Sequence, residues 1–431
     1  MQENEINPWS SENTVTIQRL FTEFGIEPIT DAALALFEVP FFMRRSIVFG
    51  HRGYEKIADA IKHKKPFNVM TGFMPSGPPH LGHLMVMKEV VWHVKQGGRG
   101  FIGIADREAH AVRGLDWAQC EMYGKEYLKC LYALGYEGVV YTQSANRGLQ
   151  DLAFLTSEKV HFSELSAIYG FGNETNLAHA ISVLHQVADI LYPQVVKGPA
   201  PTLVPVGIDQ DPHIRLTRDI AHKMRLFTIE DRGEYISVRS KNAPEEALSF
   251  VHKQFSGSKK YAGHVDIKGS SMERIEQVVR DAELAGGGYG FVTPSATYHH
   301  FLPGLNGGKM SSSIPESFIG FHESPKVVHK KIMGAVTRGR QTLAEQKELG
   351  GEPDACPVFL LNLFHMIEDD AELHEVRQQC LMGELMCGQC KADTASRIET
   401  FLSDFNSRID AVSHMADDAY KWHMCGEIDE I

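Results

Sequence analysis

The chain predicts an α/β fold in which strands alternate with helices, followed by a region that is helical throughout. Two observations carry this. Short apolar runs, each leading into a helix-length segment, recur between residues 67 and 224, the pattern of β–α–β units on a parallel sheet. Further on, Ile398, Phe401, Leu402, Phe405, Ile409, Val412 and Met415 recur at intervals of three and four, one face of a long helix.

Taken in order, residues 1–65 read as an N-terminal extension with two short helical patterns, around Ala32–Glu38 and Tyr54–Lys62. Phe67–Thr71 reads as a strand that runs into the Gly/Pro-rich turn Gly72–Pro79, and His80–Gln96 as a helix. Arg99–Ala105, Gly138–Thr142 and Leu203–Gly207 are further strands; Asp116–Leu134 and Gln210–Met224 are helices. Residues 66–226 and 289–314 are assigned to one α/β domain. Residues 227–288 are polar, close on Gly286-Gly287-Gly288 and break the alternation, so they form an insertion with its own small core. Residues 315–431 form a helical domain.

Composition narrows the class. The 431 residues are 43% hydrophobic and 23% charged, as in soluble globular proteins. No apolar run approaches the ~18 residues of a membrane span, and Met1–Glu5 lacks the pattern of a signal peptide. Seven scattered cysteines are expected to be reduced thiols in a cytoplasmic protein. A net charge of -12 argues against general nucleic-acid binding, although a local basic face would still serve a docked nucleic acid.

Three segments carry chemistry. In Pro75-Ser76-Gly77-Pro78-Pro79-His80-Leu81-Gly82-His83, two histidines three apart sit at a helix start, where free N–H groups favour a phosphate. Gly82 lets a flat base approach the backbone. In Gly307-Gly308-Lys309-Met310-Ser311-Ser312-Ser313, glycines give a mobile loop, Lys309 a charge and the serines donors, a set suited to a departing pyrophosphate. Gly207-Ile208-Asp209-Gln210-Asp211 follows a strand and opens a helix, where open α/β sheets bind ligands. Asp211 is read as a cap on that helix.

The first two segments, in this order, resemble the HIGH and KMSKS signatures of class I aminoacyl-tRNA synthetases. The third resembles the GxDQDP segment of the tryptophanyl-tRNA synthetases of the archaeal and eukaryotic type. The resemblance runs from about Arg44 to Leu226 and from about Phe291 to Phe405. It implies a Rossmann-like catalytic domain, ATP with Mg2+, L-tryptophan and tRNA(Trp) as partners, a homodimer, and no resident metal site. It places His80, His83 and Lys309 at the catalytic centre and Gly72, Gly82, Gly207, Asp209, Met310, Ser311, Ser312 and Ser313 around ATP. Glu108, Gln186 and Gln210 take the tryptophan head group, a carboxylate suiting an ammonium, and Tyr169-Gly170-Phe171-Gly172 resembles a stretch lining the pocket. In the helical domain, Arg338, Phe364 and Asp369 are the candidates for reading the anticodon.

The chain departs from the pattern at three points. Ser312 replaces the second lysine of KMSKS. Met70 and Gly103 stand where eukaryotic relatives hold the indole N–H with Tyr and Gln, so that reader is unplaced. Cys387 and Cys390 have no second pair at zinc-finger spacing and fall in a helical stretch, so they are read as incidental. Two alternatives stay open: a tyrosyl enzyme, against which Gln210-Asp211-Pro212 speaks, and a catalytically silent tRNA-binding paralogue, against which His80, His83, Asp209 and Lys309 speak.

Overall fold

The computed structural model describes residues 17–30, 34, 38–311 and 314–424. Its centre is a seven-stranded sheet in the order β1-β2-β11-β6-β3-β4-β5, made of β1 (Glu27–Pro28), β2 (Val48–Arg52), β3 (Asn68–Phe73), β4 (Arg99–Ile104), β5 (Gly138–Thr142), β6 (Thr202–Gly207) and β11 (Ser295–His299). The five strands β11-β6-β3-β4-β5 run parallel. Helices cover both faces, so β3, β4 and β6 are nearly continuous apolar runs and do not alternate. The fold is Rossmann-like.

The helices that matter for the site are α1 (Leu81–Lys95), α2 (Asp106–Arg113), α3 (Trp117–Ala133), α4 (Leu177–Lys197) and α5 (Asp211–Lys223). From β3 the chain crosses through α1 to β4 and on to β5, then returns through α4 to β6 on the other side of β3. The strand order reverses between β3 and β6, which is where a ligand crevice forms. These two strands pair only at Asn68–Thr202 and Val69–Leu203, whereas β3 and β4 pair along all six residues. Pro205 has no N–H to continue a ladder, and Thr71 Oγ1 donates to the Pro205 carbonyl instead (3.3 Å). Beyond Val69 the strands part and a cleft opens between them.

Two features of the first 65 residues differ from the sequence expectation. β2 is a strand of the main sheet, antiparallel to β11, with β1 beside it. Arg52 on β2 makes a two-pronged ion pair with buried Asp211 (2.7 and 2.9 Å), which also accepts from Tyr298. Asp211 therefore anchors the strand and is not a cap; Gln210 occupies the cap position of α5. Of the two helical patterns expected there, Glu55–Lys62 is a helix that buries Ile57, Ala58, Ala60 and Ile61; Ala32–Glu38 falls almost wholly outside the described residues.

The polar stretch folds as a separate antiparallel sheet, β7 (Phe227–Asp231), β8 (Ile236–Ser240), β10 (His264–Ile267) and β9 (Lys259–Lys260), under the helices Glu245–Lys253 and Met272–Ala285. Val238, Val265, Ile275 and Val279 form its core. Its neck is held by buried Glu283, which accepts from the Leu226 and Phe227 amides (both 3.0 Å) and from Arg225 Nε (2.7 Å).

After residue 315 the chain is helical and ends in α6 (Cys387–Met424). α6 lies along α3. Gly124 permits this, because a Cβ there would stand 1.8 Å from Tyr420 Oη. Ile398, Leu402 and Phe405 of α6 share one apolar core with Leu84, Val90 and Leu131 of the α/β region, so the two regions are packed as one body. Among the described residues, no helix is long and apolar enough to cross a membrane.

Candidate active site

The cleft at the carboxyl ends of β3 and β6 has a volume of about 840 Å³. One wall is the start of α1. His80 is its N-cap: His80 Nδ1 accepts from the Gly82 amide (3.1 Å), and His83 Nδ1 accepts from the His80 amide (3.2 Å). A ring nitrogen that accepts leaves the proton of a neutral imidazole on Nε2. His83 then donates to Tyr127 Oη (3.2 Å), while the His80 ring lines the cleft beside Phe318. Burial depresses both groups, to about 2 for His80 and about 4 for His83. Both are neutral hydrogen-bonding groups at physiological pH, and they bring no charge to a phosphate.

The charge comes from the opposite wall. Lys309 is exposed on the Gly304–Lys309 turn, where the Gly304 amide donates to the Gly308 carbonyl (2.7 Å) and Gly307 has φ 82°. Buried Ser317 pins the base of this loop, accepting from the Ser311 amide (3.0 Å) and donating to the Ile314 carbonyl (2.7 Å). The two walls touch at Gly82 and Met310: a Cβ on Gly82 would lie 2.9 Å from the His80 ring and 3.0 Å from Met310 Sδ. Ser312 and Ser313 lie outside the described residues.

Gly72, Gly207 and Asp209 line the same cleft. A Cβ on Gly207 would stand 2.6 Å from the Phe301 ring, so this glycine admits an aromatic cover that the sequence reading missed. Asp209 is half-buried, and burial, opposed by Lys309, pushes its carboxyl up to about 6.

The other end gathers the expected head-group residues. Gln186 on α4 donates to Gln210 Oε1 (2.8 Å), and Glu108 on α2 faces the same space. Burial raises Glu108 to about 7. One helical turn beyond Gln186, Asp189 is buried at the base of the cleft. Its Oδ1 accepts from Tyr141 Oη (2.9 Å) and its Oδ2 from Gln143 Nε2 (2.7 Å), and burial pushes it up to about 7. Met70, Ile190, Val204 and Ile214 give this end apolar walls. Gly103 leaves room for it: a Cβ there would lie 3.3 Å from Asp189 Oδ1 and from the Tyr141 ring. Asp189 was not singled out from sequence; its position three residues after Gln186 was the available signal. Tyr169 and Phe171 stack on each other behind the cleft in a second core.

Of the three anticodon candidates, Arg338 and Asp369 are exposed, Asp369 also capping the helix Asp370–Leu381 through a bond from the Glu372 amide (2.7 Å). Phe364 requires correction. It is 2% exposed, sits in the π-turn Asn362–Met366 inside the shared core and lines the cleft, so it presents no face on which a base can stack. Cys387 and Cys390, read as incidental, are free and line a small cavity together with Cys356 and Cys380.

A family model described as tRNA synthetases class I (W and Y) matches residues 62–249 and 270–403. The chain is 48% identical over 419 residues to a tryptophan–tRNA ligase of Methanosarcina acetivorans, covering 94% of this chain and 96% of the relative. It is 45% identical over 411 residues to one of Archaeoglobus fulgidus, covering 94% and 97%. A crystal structure of tryptophanyl-tRNA synthetase from Aeropyrum pernix superposes with a TM-score of 0.75 at 32% identity, covering 96% of this chain and 98% of that one.

Proposed function

The chain belongs to the class I tRNA synthetases of the tryptophan and tyrosine group, and on that premise we propose that it activates L-tryptophan with ATP and passes it to tRNA(Trp). The observation that carries this reading is a single cleft with donors and the exposed Lys309 at one end and an acid-lined apolar pocket at the other. In the first step a tryptophan carboxylate oxygen attacks the α-phosphorus of ATP, and the bond to pyrophosphate breaks. ATP enters with its Mg2+ as substrate. His80 donates from Nε2 to a phosphate oxygen, and Lys309, on a loop free to close, balances the charge growing on pyrophosphate. His83 acts through the cap and Tyr127, holding His80 in place. Gly72, Gly82 and Gly207 keep side chains out of the nucleotide's path, with Asp209 toward the ribose, Phe301 against the base, and Met310 and Ser311–Ser313 along the phosphates. In the second step the terminal ribose hydroxyl of tRNA attacks the acyl carbon and AMP leaves.

Glu108 receives the α-ammonium, with Gln186 and Gln210 on the same head group. The ring N–H meets Asp189, the buried acceptor at the apolar end. A carboxylate offers about four acceptor sites; Tyr141 and Gln143 occupy two, which leaves capacity for a donor from the cleft. Arg338 and Asp369 remain the candidates toward the anticodon. Exposed Phe154, Phe162, Leu177 and Ile181, on the helices Arg147–Ser157 and Phe162–Tyr169 and on α4, support a homodimer that covers them. The place of work is the cytoplasm.

The test is pyrophosphate exchange with tryptophan and tyrosine offered separately, followed by charging of tRNA(Trp) and of the same tRNA with an altered anticodon. Tryptophan-dependent exchange with preferential charging of the unaltered tRNA supports the reading. Exchange driven by tyrosine, or none with either amino acid, overturns it.

A further inference from the structure

Where α2 leaves the cleft it carries an aromatic surface that amino-acid activation does not use. Trp117 opens α3 and is 50% exposed. The exposed His110 ring of α2 lies flat against it, with centroids 4.4 Å apart and planes 17° from parallel. Gly114, at φ 68°, turns the chain between the two helices and lets the rings meet. Both rings are fixed in place. His110 Nδ1 donates to the Leu115 carbonyl (2.7 Å). Trp117 follows Asp116, whose side chain accepts from the Gln119 amide (2.8 Å), while Gln119 Oε1 accepts from the Asp116 amide (3.1 Å), a closed capping box. An indole left half in water forgoes much of the burial its size allows. Held rigid and backed by a second ring, it is a surface on which an unpaired base can stack. Arg113, one turn after His110 on α2, is exposed and also lines the cleft.

We propose that the Trp117–His110 stack is the platform for the unpaired 3′ end of tRNA. The base next to the terminal adenosine stacks on Trp117, and Arg113 meets a phosphate of the same strand. The proposal rests on the ligase reading and adds to it the path by which the acyl acceptor enters. In the second step the terminal ribose must stand over the acyl carbon, beside the ammonium that Glu108 receives. From Glu108 the axis of α2 advances about 3 Å to His110 and about 7.5 Å to Arg113. Stacked nucleotides advance about 3.4 Å each, so the nucleotides just before the ribose pass this level of the helix. A flat ring with a cation beside it matches a base and its phosphate. Every base has a π-face, so the platform sets position and leaves sequence to be read elsewhere. The stack is continuous with the cleft through Arg113, which lies between the two on α2 and weakens the effect of burial on Glu108.

The test compares the wild-type chain with Trp117→Ala, Trp117→Phe and His110→Ala, using tRNA(Trp) that is intact or lacks its unpaired 3′ end. Tryptophan-dependent pyrophosphate exchange without tRNA should be the same in every protein, which also reports that each variant is folded. Trp117→Ala should bind intact tRNA about tenfold more weakly, the loss of one stacked base. Trp117→Phe should recover most of that loss, and His110→Ala should fall between the two. All four proteins should bind the shortened tRNA alike, because the base that Trp117 holds is gone. Equal affinity of wild-type and Trp117→Ala for intact tRNA overturns the platform. An equal loss with the shortened tRNA also overturns it, since Trp117 would then touch some other part of the tRNA. Dissociation of a wild-type dimer on Trp117→Ala substitution, seen by sedimentation, overturns it in favour of a second copy of the chain. These outcomes leave the ligase reading standing. Absence of exchange in the wild-type chain removes that reading and the platform with it.

Discussion

The two ends of the cleft are built on opposite electrostatic plans. At the nucleotide end, buried imidazoles are held neutral and Lys309 stands exposed on a loop. At the amino-acid end, Glu108 and Asp189 are carboxyls whose ionisation burial opposes. The nucleotide end can use fixed, weakly polar donors because ATP arrives highly charged and already paired with Mg2+. The amino-acid end faces a ligand with one cation and one ring donor, and discrimination there depends on acceptors that are costly to leave unpaired. One end is organised for charge in motion and the other for selection.

Removing the exposed cation should break the nucleotide end most severely. Lys309→Ala is expected to slow tryptophan-dependent pyrophosphate exchange by about 10²–10³-fold with little change in tryptophan binding; an effect under tenfold would remove Lys309 from the chemistry. Next in size are the acids. Glu108→Gln should raise KM for tryptophan by about 10–10²-fold and leave KM for ATP in place, since a charged hydrogen bond is worth roughly 1.5–3 kcal/mol. Asp189→Asn should act on selectivity: the preference for tryptophan over its benzothiophene analogue, which has sulfur in place of N–H, should fall about tenfold. Equal loss of both amino acids would assign Asp189 to structure.

The same acids give a pH signature that separates the two ends. Both are raised to about 7 by burial, so kcat/KM for tryptophan should climb as pH rises through about 7, while a step in KM for ATP should follow Asp209 and fall lower, near 6. Stability should move the other way. The native carboxyls keep protons that the unfolded chain releases near pH 4; their contribution is present below about pH 4 and is lost as pH rises to about 7. Urea midpoints across that range, with and without saturating tryptophan, check the sign. The smallest effect is expected from Tyr127→Phe, which removes the acceptor for His83 and should slow adenylation by about fivefold, the worth of one neutral hydrogen bond.

What could be read from sequence follows the same division. His80–His83 and Lys309–Ser311 are contiguous, and a strand, turn and helix around them set their context; the structure brings them together at Gly82 and Met310. Asp189 looks like any polar residue of a long helix until β4 and β5 bring Gly103, Tyr141 and Gln143 beneath it. Phe364 was misread because a matching segment says nothing about which way a π-turn points its rings. β2 was hidden in a polar extension, its partner strand some 246 residues away.

That last distance bears on how the molecule is made. Thr297 pairs with His51, and Arg52 reaches both Asp211 and Tyr298. At the usual 5–20 residues per second of synthesis, β2 leaves the ribosome roughly 12–50 s before β11 exists to receive it. During that interval a strand with an unpaired edge travels with the nascent chain, and the sheet closes only after β11 has been made. Birth order and assembly order are inverted at this edge, which makes one of the first strands produced among the last to be seated.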